Sequence, residues 1–583
     1  MTRAVGPRAG FTPHGATGGW VLLLTGWGIV AVFGLVWIAA RIAAAPFGGQ
    51  VREFGTDFVF AVLDGRTATA WPGTPTPVVV VVAALLATAA LAGCTGVWWL
   101  IAGRLSDPTD PVAALADNPG LAVLKPDAAE RKARELRPSL ADAPAGAVEP
   151  YDIGLALGEL MRGGPTLYAS WEDTIVAFMA PRSGKTTCLS IPYVLSAPGP
   201  VIATSNKADL WAATAALRSA YGPVWLFDPQ RITYQQQSWW WDPLRDLATV
   251  EDAHRLAGHF VLTVDDGQKR DLWGPAAQDL LCALFLAAAT SGRTLRDVAK
   301  WLDAPAVPTP IELLEAAGFH LLASSLRGAQ NGAVETRDGI YQTARTAAKA
   351  LRDEAIISWV TPSSLPVFDP YGFAGGGETL YLLSKSRSAA APLIAALTDT
   401  TMRAAERRAE RMGGRLDPPM VVSLDEAANI CRISDLPELY SHLGSRGIIP
   451  VTILQSYEQG VTVWGEAGMA AMWGAATRKV IGAGVDSPRL ARDLATLVGQ
   501  HDVPVRSVSY AEGRASEQIS LRRQDILEPA AIRALPPGTA LLLATGGRPA
   551  LISLLPWYES RDADRIQACR QRLERLITEG ATR

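Results

Sequence analysis

Residues 176–192 read VAFMAPRSGKTTCLSIP, which is an apolar run, a short turn and an apolar segment at helical spacing. This order predicts a buried strand, a loop that wraps an anion, and a helix whose free backbone N–H groups face phosphate. In such a loop Lys185 would reach the β- and γ-phosphates, and the hydroxyl of Thr186 would hold Mg²⁺. The stretch therefore predicts a site for a purine nucleoside triphosphate, ATP, with Mg²⁺.

One position departs from the pattern G-x-x-x-x-G-K-[ST], because Met179 stands where the first glycine is expected. That glycine permits a tight turn, so either Met179 turns with ordinary backbone angles or the loop is altered. The alternative interpretation is a Ser-Gly-Lys turn at a helix start that binds nothing. The preceding apolar run and a second motif favour the nucleotide site.

The second motif lies far downstream, where residues 419–426 read PMVVSLDE. The apolar run predicts a buried strand that ends in two carboxylates. Asp425 takes the place of a residue that supports Mg²⁺, and Glu426 the place of a carboxylate that activates the attacking water. An Asp-Glu pair at a strand end can also be a solvated helix cap. The two motifs together, in this order, predict an ATPase core.

Length and charge limit the remaining possibilities. The chain has 583 residues, enough for more than one domain, and a formal net charge of −3. A slightly acidic chain gives no overall attraction for nucleic acid, so any such surface must be local. Its five cysteines are scattered without metal-ligand spacing and are predicted to be reduced thiols.

Two apolar segments, about residues 19–45 and 77–103, are long enough to span a bilayer, which needs about 20 residues. Arginine and lysine precede the first segment and follow the second, whereas acidic residues offset them in the loop between. Positive charge favours the cytoplasmic side, so residues 1–18 and everything after the second span are predicted to be cytoplasmic. Residues 104–150, rich in Ala, Pro and charge, are predicted to be a linker.

Beyond the linker, short apolar strands alternate with helical stretches, which predicts a parallel α/β sheet. The nucleotide-binding domain is predicted to comprise residues 151–242 and 360–558. Residues 243–359 have helical spacing and few strand signals, and are predicted to form an all-α insertion. The domain is predicted to close with a hairpin around a Gly-Gly turn, and residues 559–583 are predicted to form a C-terminal helix.

These motifs resemble those of the type IV coupling proteins of the TraG/TraD kind, over most of the chain from residue 155 to 558. The resemblance implies a RecA-like P-loop NTPase motor with an inserted all-α domain, preceded by two transmembrane helices. One departure is Ser205-Asn206-Lys207, where the family usually has Asp-Pro-Lys-Gly. The matching segments are APRSGKTT (180–187), DLWGPAAQDLL (271–281), SLDEAANICRISDLPELYSHLGSRGIIPVTILQS (423–456) and LPPGTALLLATGGRPALISLLPWY (535–558).

The resemblance also implies roles for single residues. Gln455 would be a polar sensor of the γ-phosphate, with a turn residue as the alternative. Arg446 would be an arginine finger acting on a neighbouring subunit, with an ordinary helix-terminal arginine as the alternative, and Arg478 is a weaker candidate for the finger. Lys185 and Glu426 would complete the catalytic set, and Thr186 and Asp425 would hold Mg²⁺. The triphosphate would be bound by Arg182, Ser183, Gly184, Lys185, Thr186 and Thr187.

The function implied is an inner-membrane coupling ATPase of a conjugative type IV secretion system, with its motor in the cytoplasm. It would form a homohexamer that hydrolyses ATP to bring relaxase-bound single-stranded DNA to the secretion channel. One alternative is a ring ATPase of the FtsK type, which would be expected to carry a winged-helix module after the hairpin. A protein-export ATPase would be expected to carry several tandem phosphate loops. The third alternative is a non-catalytic membrane scaffold with a degenerate P-loop.

Overall fold

The computed structural model describes residues 17–102, 110–116, 118–144, 146–262, 273–386, 388–511 and 514–582. The chain divides into two compact units, residues 1–107 and residues 108–583. Most of the predicted cytoplasmic N-terminus, the first two residues of the DLWGPAAQDLL segment and residues 103–109 lie outside the described residues.

The first unit is built on two long apolar helices joined by short ones. Two stretches, Val30–Phe47 and Thr76–Gly96, are long and apolar enough to cross a membrane. Only 6% of the second stretch is buried, whereas a core helix of a soluble domain would be largely covered. Phe58 and Trp71 of the connecting segment pack against Ala40 and Ala43. The helices are α1 (Thr17–Ala44), α2 (Thr56–Leu63), α3 (Thr67–Ala70) and α4 (Thr76–Ala102).

The second unit contains a large mixed sheet. Its strands are β1 (Leu155–Leu160), β2 (Thr166–Ala169), β3 (Ile175–Phe178), β4 (Val201–Ser205), β5 (Val224–Phe227), β6 (Thr379–Leu383), β7 (Met420–Asp425), β8 (Ile448–Leu454), β9 (Arg478–Gly482), β10 (Gln500–Ala511), β11 (Arg514–Asp525), β12 (Thr539–Ala544) and β13 (Ala550–Ser553). In the described residues, eleven of them pair in the order β2-β1-β13-β12-β9-β3-β8-β7-β4-β6-β5. The run from β9 to β5 is parallel, and the other four strands extend it in antiparallel fashion. The predicted parallel sheet is thus the centre of a wider mixed one.

Helices cover both faces of this sheet. Because successive side chains of a strand point to opposite faces, β3 sends Val176 and Phe178 into one core and Ile175 and Ala177 into the other. The helices are α5 (Pro111–Ala116), α6 (Pro126–Leu136), α7 (Pro150–Ile153), α8 (Ile191–Ser196), α9 (Asp209–Arg218), α10 (Val250–Val261), α11 (Trp273–Thr290), α12 (Leu295–Asp303), α13 (Thr309–Ala316), α14 (His320–Asn331), α15 (Val334–Ala347), α16 (Glu354–Ile357), α17 (Pro370–Phe373), α18 (Ala391–Arg411), α19 (Ala427–Ile430), α20 (Leu436–Leu439), α21 (Tyr457–Ala475), α22 (Pro488–Val498), α23 (Pro529–Arg533) and α24 (Ala563–Thr582).

The segment predicted to be a linker differs from that expectation in its described part, which is folded onto the motor. Leu121, Leu124 and Ala133 are buried in the same core as β1 and β2. Arg137 is buried and pairs with Asp152 at 3.0 Å and with Asp417 at 3.4 Å. Three of the prolines that suggested a linker, Pro111, Pro126 and Pro150, stand at the first residue of α5, α6 and α7, where their missing N–H costs nothing.

Between β5 and β6 the described residues form the helical layer α10–α16, which is the region of the predicted insertion. Its two connections to the sheet meet at a backbone bridge between Trp240 and Val367. Trp239 packs edge-on against Trp359 at a centroid distance of 5.5 Å and contacts Phe368 at 5.3 Å. This aromatic cluster fixes the base of the helical layer to β5.

Candidate active site

The phosphate loop turns without its first glycine. Met179 is buried and continues the strand, because its N–H donates to the carbonyl of Leu454 at 2.9 Å. The left-handed backbone needed for the turn is supplied by Arg182 (φ 64°) and Gly184 (φ 94°) instead. The loop therefore differs from the standard pattern in one respect: its turn lies closer to Lys185. A π-helical turn, Thr186–Ser190, then runs directly into α8.

The two sequence motifs meet at the carboxyl edge of the parallel strands. The strand order β3-β8-β7 places the loop after β3 one strand away from the carboxylates that end β7. Lys185 forms an ion pair with the carboxylate of Glu426. Thr186 donates from Oγ1 to Oδ2 of Asp425 at 2.9 Å. This edge is where parallel α/β sheets bind their ligands.

Two amides complete the surroundings of Glu426. Gln455, which follows β8, donates from Nε2 to Oε1 at 2.9 Å and to Oε2 at 2.8 Å. Asn429 donates from Nδ2 to Oε2 at 2.6 Å. The sequence motifs predicted Gln455 as a site residue but missed Asn429. Its position three residues after Glu426, at the distance of one helical turn, is the signal that could have found it.

The two carboxyl groups have different electrostatic surroundings. Burial raises the pKa of Asp425 to about 6, although Lys185 and the hydroxyl of Thr186 oppose that rise. Burial acts in the same direction on Glu426, but hydrogen bonds from Lys185 and Gln455 outweigh it and lower the pKa below its usual value. Glu426 is therefore a charged carboxylate at neutral pH, whereas Asp425 gains a proton in mildly acidic solution.

Comparisons with known proteins agree with this arrangement. Residues 419–537, from β7 to α23, match the family described as the TraM recognition site of TraD and TraG. The solved bacterial conjugative coupling protein TrwBdeltaN70, in its unbound monoclinic form, aligns with a TM-score of 0.50 and 17% identity, over 68% of this chain and 88% of that chain. Residues 419–537 are thus similar to the corresponding segment of TraD and TraG, and the fold is similar to that of TrwBdeltaN70.

Two other solved structures align with this chain at lower TM-scores. TrwB in complex with ADP and Mg²⁺ gives a TM-score of 0.48 and 16% identity, over 68% of this chain and 89% of that chain. VirB4 of Thermoanaerobacter pseudethanolicus gives a TM-score of 0.39 and 13% identity, over 69% and 96%. A search of curated protein sequences found no match.

The residues around Asp425 fit a magnesium ion shared with a nucleotide. Among the described residues none donates a hydrogen bond to Oδ1 of Asp425, which is buried beside the hydroxyl of Thr186. Carboxylate and hydroxyl oxygens suit Mg²⁺, which usually takes one or two protein ligands and leaves the rest to phosphate and water. In the described part of the chain no cluster of three or more His, Cys, Asp or Glu could hold a metal alone. Asp425 and Thr186 would therefore hold Mg²⁺ together with the phosphates.

The raised pKa of Asp425 predicts a pH dependence of nucleotide binding. Below about pH 6 a proton occupies the carboxyl group, and Mg²⁺ must displace it. We expect the affinity for Mg²⁺–nucleotide to fall by up to about tenfold per pH unit in that range. A fluorescent ATP analogue titrated between pH 5 and 8 would measure it. Asp425→Asn should remove this slope while keeping the titration of the nucleotide's own phosphate, and equal slopes in both proteins would contradict the assignment.

The remaining predicted site residues fall into two groups. Arg182, Ser183, Gly184 and Thr187 lie in the loop beside Lys185, and their contact with the phosphates stays a prediction. The two candidate arginine fingers lie at the opposite, amino-terminal edge of the sheet. Arg446 precedes β8, is one-third exposed and faces Glu410 at 3.9 Å. Arg478 begins β9, is partly buried and pairs with Asp173 at 3.0 Å. Neither arginine contributes to the site of its own chain.

Proposed function

We propose that this chain is the inner-membrane coupling ATPase of a conjugative type IV secretion system. One observation carries the proposal: the lysine and threonine of the loop touch the two carboxylates that end β7. Lys185 and Glu426 are 241 positions apart in the sequence and still form a pair in the folded chain. A non-catalytic scaffold with a degenerate loop would not need this pairing. The family match and the TrwB-like fold support the conjugative role.

Hydrolysis follows from the charges around Glu426. In the nucleotide-free protein the carboxylate is neutralised by Lys185. The phosphates of ATP attract the ammonium group, so binding releases Glu426, which then accepts a proton from the attacking water. Mg²⁺ held by Thr186 and Asp425 would neutralise charge on the β- and γ-phosphates. Gln455 is bonded to both carboxylate oxygens and would sense whether the γ-phosphate is present.

A ring of identical subunits accounts for Arg446. Because this arginine lies at the edge of the sheet opposite Lys185, it can reach the phosphates only of a neighbouring copy. Its exposure and its long contact to Glu410 leave it available for that role, whereas Arg478 is already held in a close, partly buried ion pair. We propose a homohexamer with composite sites. Single-stranded DNA with its relaxase would be the cargo, and components of the secretion channel would receive it.

The apolar helices α1 and α4 support a membrane anchor. Both are long enough to cross a bilayer, and only 6% of Thr76–Gly96 in α4 is buried. We propose that they span the inner membrane and leave the motor in the cytoplasm, in line with the positive charge that flanks them.

The proposal predicts that Lys185→Ala abolishes DNA transfer from donor cells in which it replaces the natural chain. The reason is that the triphosphate loses the cation that the loop provides. Transfer frequency by mating would measure the effect, with protein level and membrane location checked alongside. Lys300→Ala is the matched control, because that lysine is exposed and lies in the helical layer away from the site. Unchanged transfer with Lys185→Ala would favour the non-catalytic scaffold.

A further inference from the structure

We infer that Asn429 is a positioning residue, which holds Glu426 with one chosen carboxylate oxygen free to act as the base. This inference rests on the proposed hydrolysis of ATP and assigns a residue and an atom to it. The observation behind this inference is that three side chains donate hydrogen bonds to the carboxylate of Glu426. Lys185 bonds to Oε1, Gln455 bonds to both oxygens and Asn429 bonds to Oε2.

The backbone at this point fixes Asn429 relative to the base. Glu426 has a left-handed conformation (φ 57°, ψ 35°), which is unfavourable for a non-glycine residue. This turn ends β7 and starts the single-turn helix α19. The N–H of Asn429 donates to the carbonyl of Glu426 at 2.8 Å, while its side chain returns to the carboxylate of the same residue. Asn429 is thus bonded to both ends of Glu426.

The packing of α19 keeps that arrangement rigid. Ala427, Ala428 and Ile430 are buried, so the helical turn cannot rotate without opening the core. Arg432, two residues after the end of α19, donates from Nε to the carbonyl of Ala428 at 2.8 Å and caps the end of the turn. The amide of Asn429 therefore arrives at Oε2 from a fixed direction.

ATP is expected to draw only one of the three donors away from Glu426. Lys185 is the donor that phosphate attracts, because it is the cation of the phosphate loop. When it leaves, the neutral amides of Asn429 and Gln455 remain on the carboxylate. Asn429 and Gln455 both occupy Oε2, whereas Oε1 keeps only Gln455 and regains the acceptor position that Lys185 held. Oε1 is therefore the oxygen that takes the proton from water.

The expected consequence is a loss of kcat without a loss of ATP binding. A hydrogen bond to a charged group contributes about 1.5–3 kcal/mol, so Asn429→Ala should lower kcat by about 10- to 100-fold. The KM for ATP should stay close to that of the wild type, because Asn429 does not contact the loop. Asn429→Asp should be worse than Asn429→Ala, because it places a second carboxylate against the first. Asn429→Gln, which keeps the donor, should recover part of kcat.

The split between kcat and KM separates positioning from a merely structural effect. Loss of the hydrogen bond to Oε2 should lower kcat while KM and the melting temperature stay unchanged, whereas a loosened fold would lower the melting temperature as well. The assay would use the full-length protein in detergent, with Asn331→Ala as control, since that asparagine is exposed at the end of α14. The kcat and melting temperature of this control should match those of the wild type.

The outcomes are distinguishable from failure of the proposed function. Wild-type protein without ATP hydrolysis would overturn the proposed function itself. Active wild type with an unchanged kcat in Asn429→Ala would overturn only the role of Asn429. A lower kcat accompanied by a proportional rise in KM and a lower melting temperature would also overturn it. A lower kcat, a steady KM, an unchanged melting temperature and partial recovery in Asn429→Gln are the predicted result.

Discussion

Glu426→Gln is expected to lower kcat for ATP hydrolysis by about 10²- to 10⁴-fold, the usual contribution of a general base. The amide has nearly the shape of the carboxylate but cannot accept a proton from water. The affinity for ATP should rise, because the substitution removes the carboxylate that competes with phosphate for Lys185. Loss of turnover combined with tighter binding is therefore the signature of this site.

Two measurements on the same preparation would show this signature. Phosphate release gives kcat, and titration with a fluorescent ATP analogue gives the dissociation constant. Glu438→Gln is the matched control, because that glutamate is exposed in α20 and lies outside the site. Turnover within twofold of the wild type in Glu426→Gln would rule out Glu426 as the base. Weaker binding in that variant would contradict the competition for Lys185.

The second large effect concerns a buried charge network between the helical layer and the motor. Asp399 of α18 is buried and accepts hydrogen bonds or ion pairs from three side chains. His259 and Arg255 of α10 lie at 3.2 Å and 3.1 Å from Oδ2. Arg403 lies 3.1 Å from Oδ1 and also pairs with Asp435, which follows α19. The network therefore links α10 to the segment that leaves the active site.

Asp399→Ala should loosen α10 by about 3 kcal/mol, the lower end of the range for breaking a buried pair. The lower end applies because Arg255 and Arg403 are about a quarter exposed. Amide hydrogen exchange in α10 should accelerate by about 100-fold, which corresponds to that free energy. Asp246→Ala is the control, because its contact to Arg407 is long and half-exposed and should contribute less than about 1 kcal/mol. Equal exchange in α10 of both variants would contradict the network's role.

The same network predicts how the stabilisation contributed by Asp399 depends on pH. Burial raises the pKa of Asp399, but the hydrogen bond from His259 and the charges of His259, Arg403 and Arg255 outweigh it, and the pKa is lowered. A depressed carboxyl pKa stabilises the folded protein above the unfolded value of about 3.9 and loses that contribution as pH falls through the folded value. The difference between wild type and Asp399→Ala should therefore be full at neutral pH and shrink in strong acid.

The centre of the fold could be predicted because its strands are buried on both faces. β3, β7 and β8 are continuous apolar runs, and the buried strands predicted before the phosphate loop and before Asp425 are β3 and β7. The ribbon of β10 and β11 was missed, although its strands pair over twelve residues each. It carries many polar residues and Pro504, which is tolerated only where a strand has a free edge. Such a ribbon shows no apolar run.

The site divides in the same way. Lys185, Thr186, Asp425 and Glu426 stand at positions where strand ends and glycine turns are visible in the sequence, so their meeting follows from the parallel sheet. The contact of Asn429 with Glu426 requires the left-handed backbone of Glu426, and no pattern in the sequence predicts that conformation. Asp399 and His259 are separated by 140 positions, and only the packing of α10 on α18 brings them together.

Steady-state ATP hydrolysis by the full-length protein in detergent, with and without single-stranded DNA, tests the central claim most directly. The account predicts hydrolysis that rises when DNA is added and that disappears in Glu426→Gln. A full-length protein that binds ATP but hydrolyses none, with or without DNA, would contradict the claim and leave a membrane scaffold in its place.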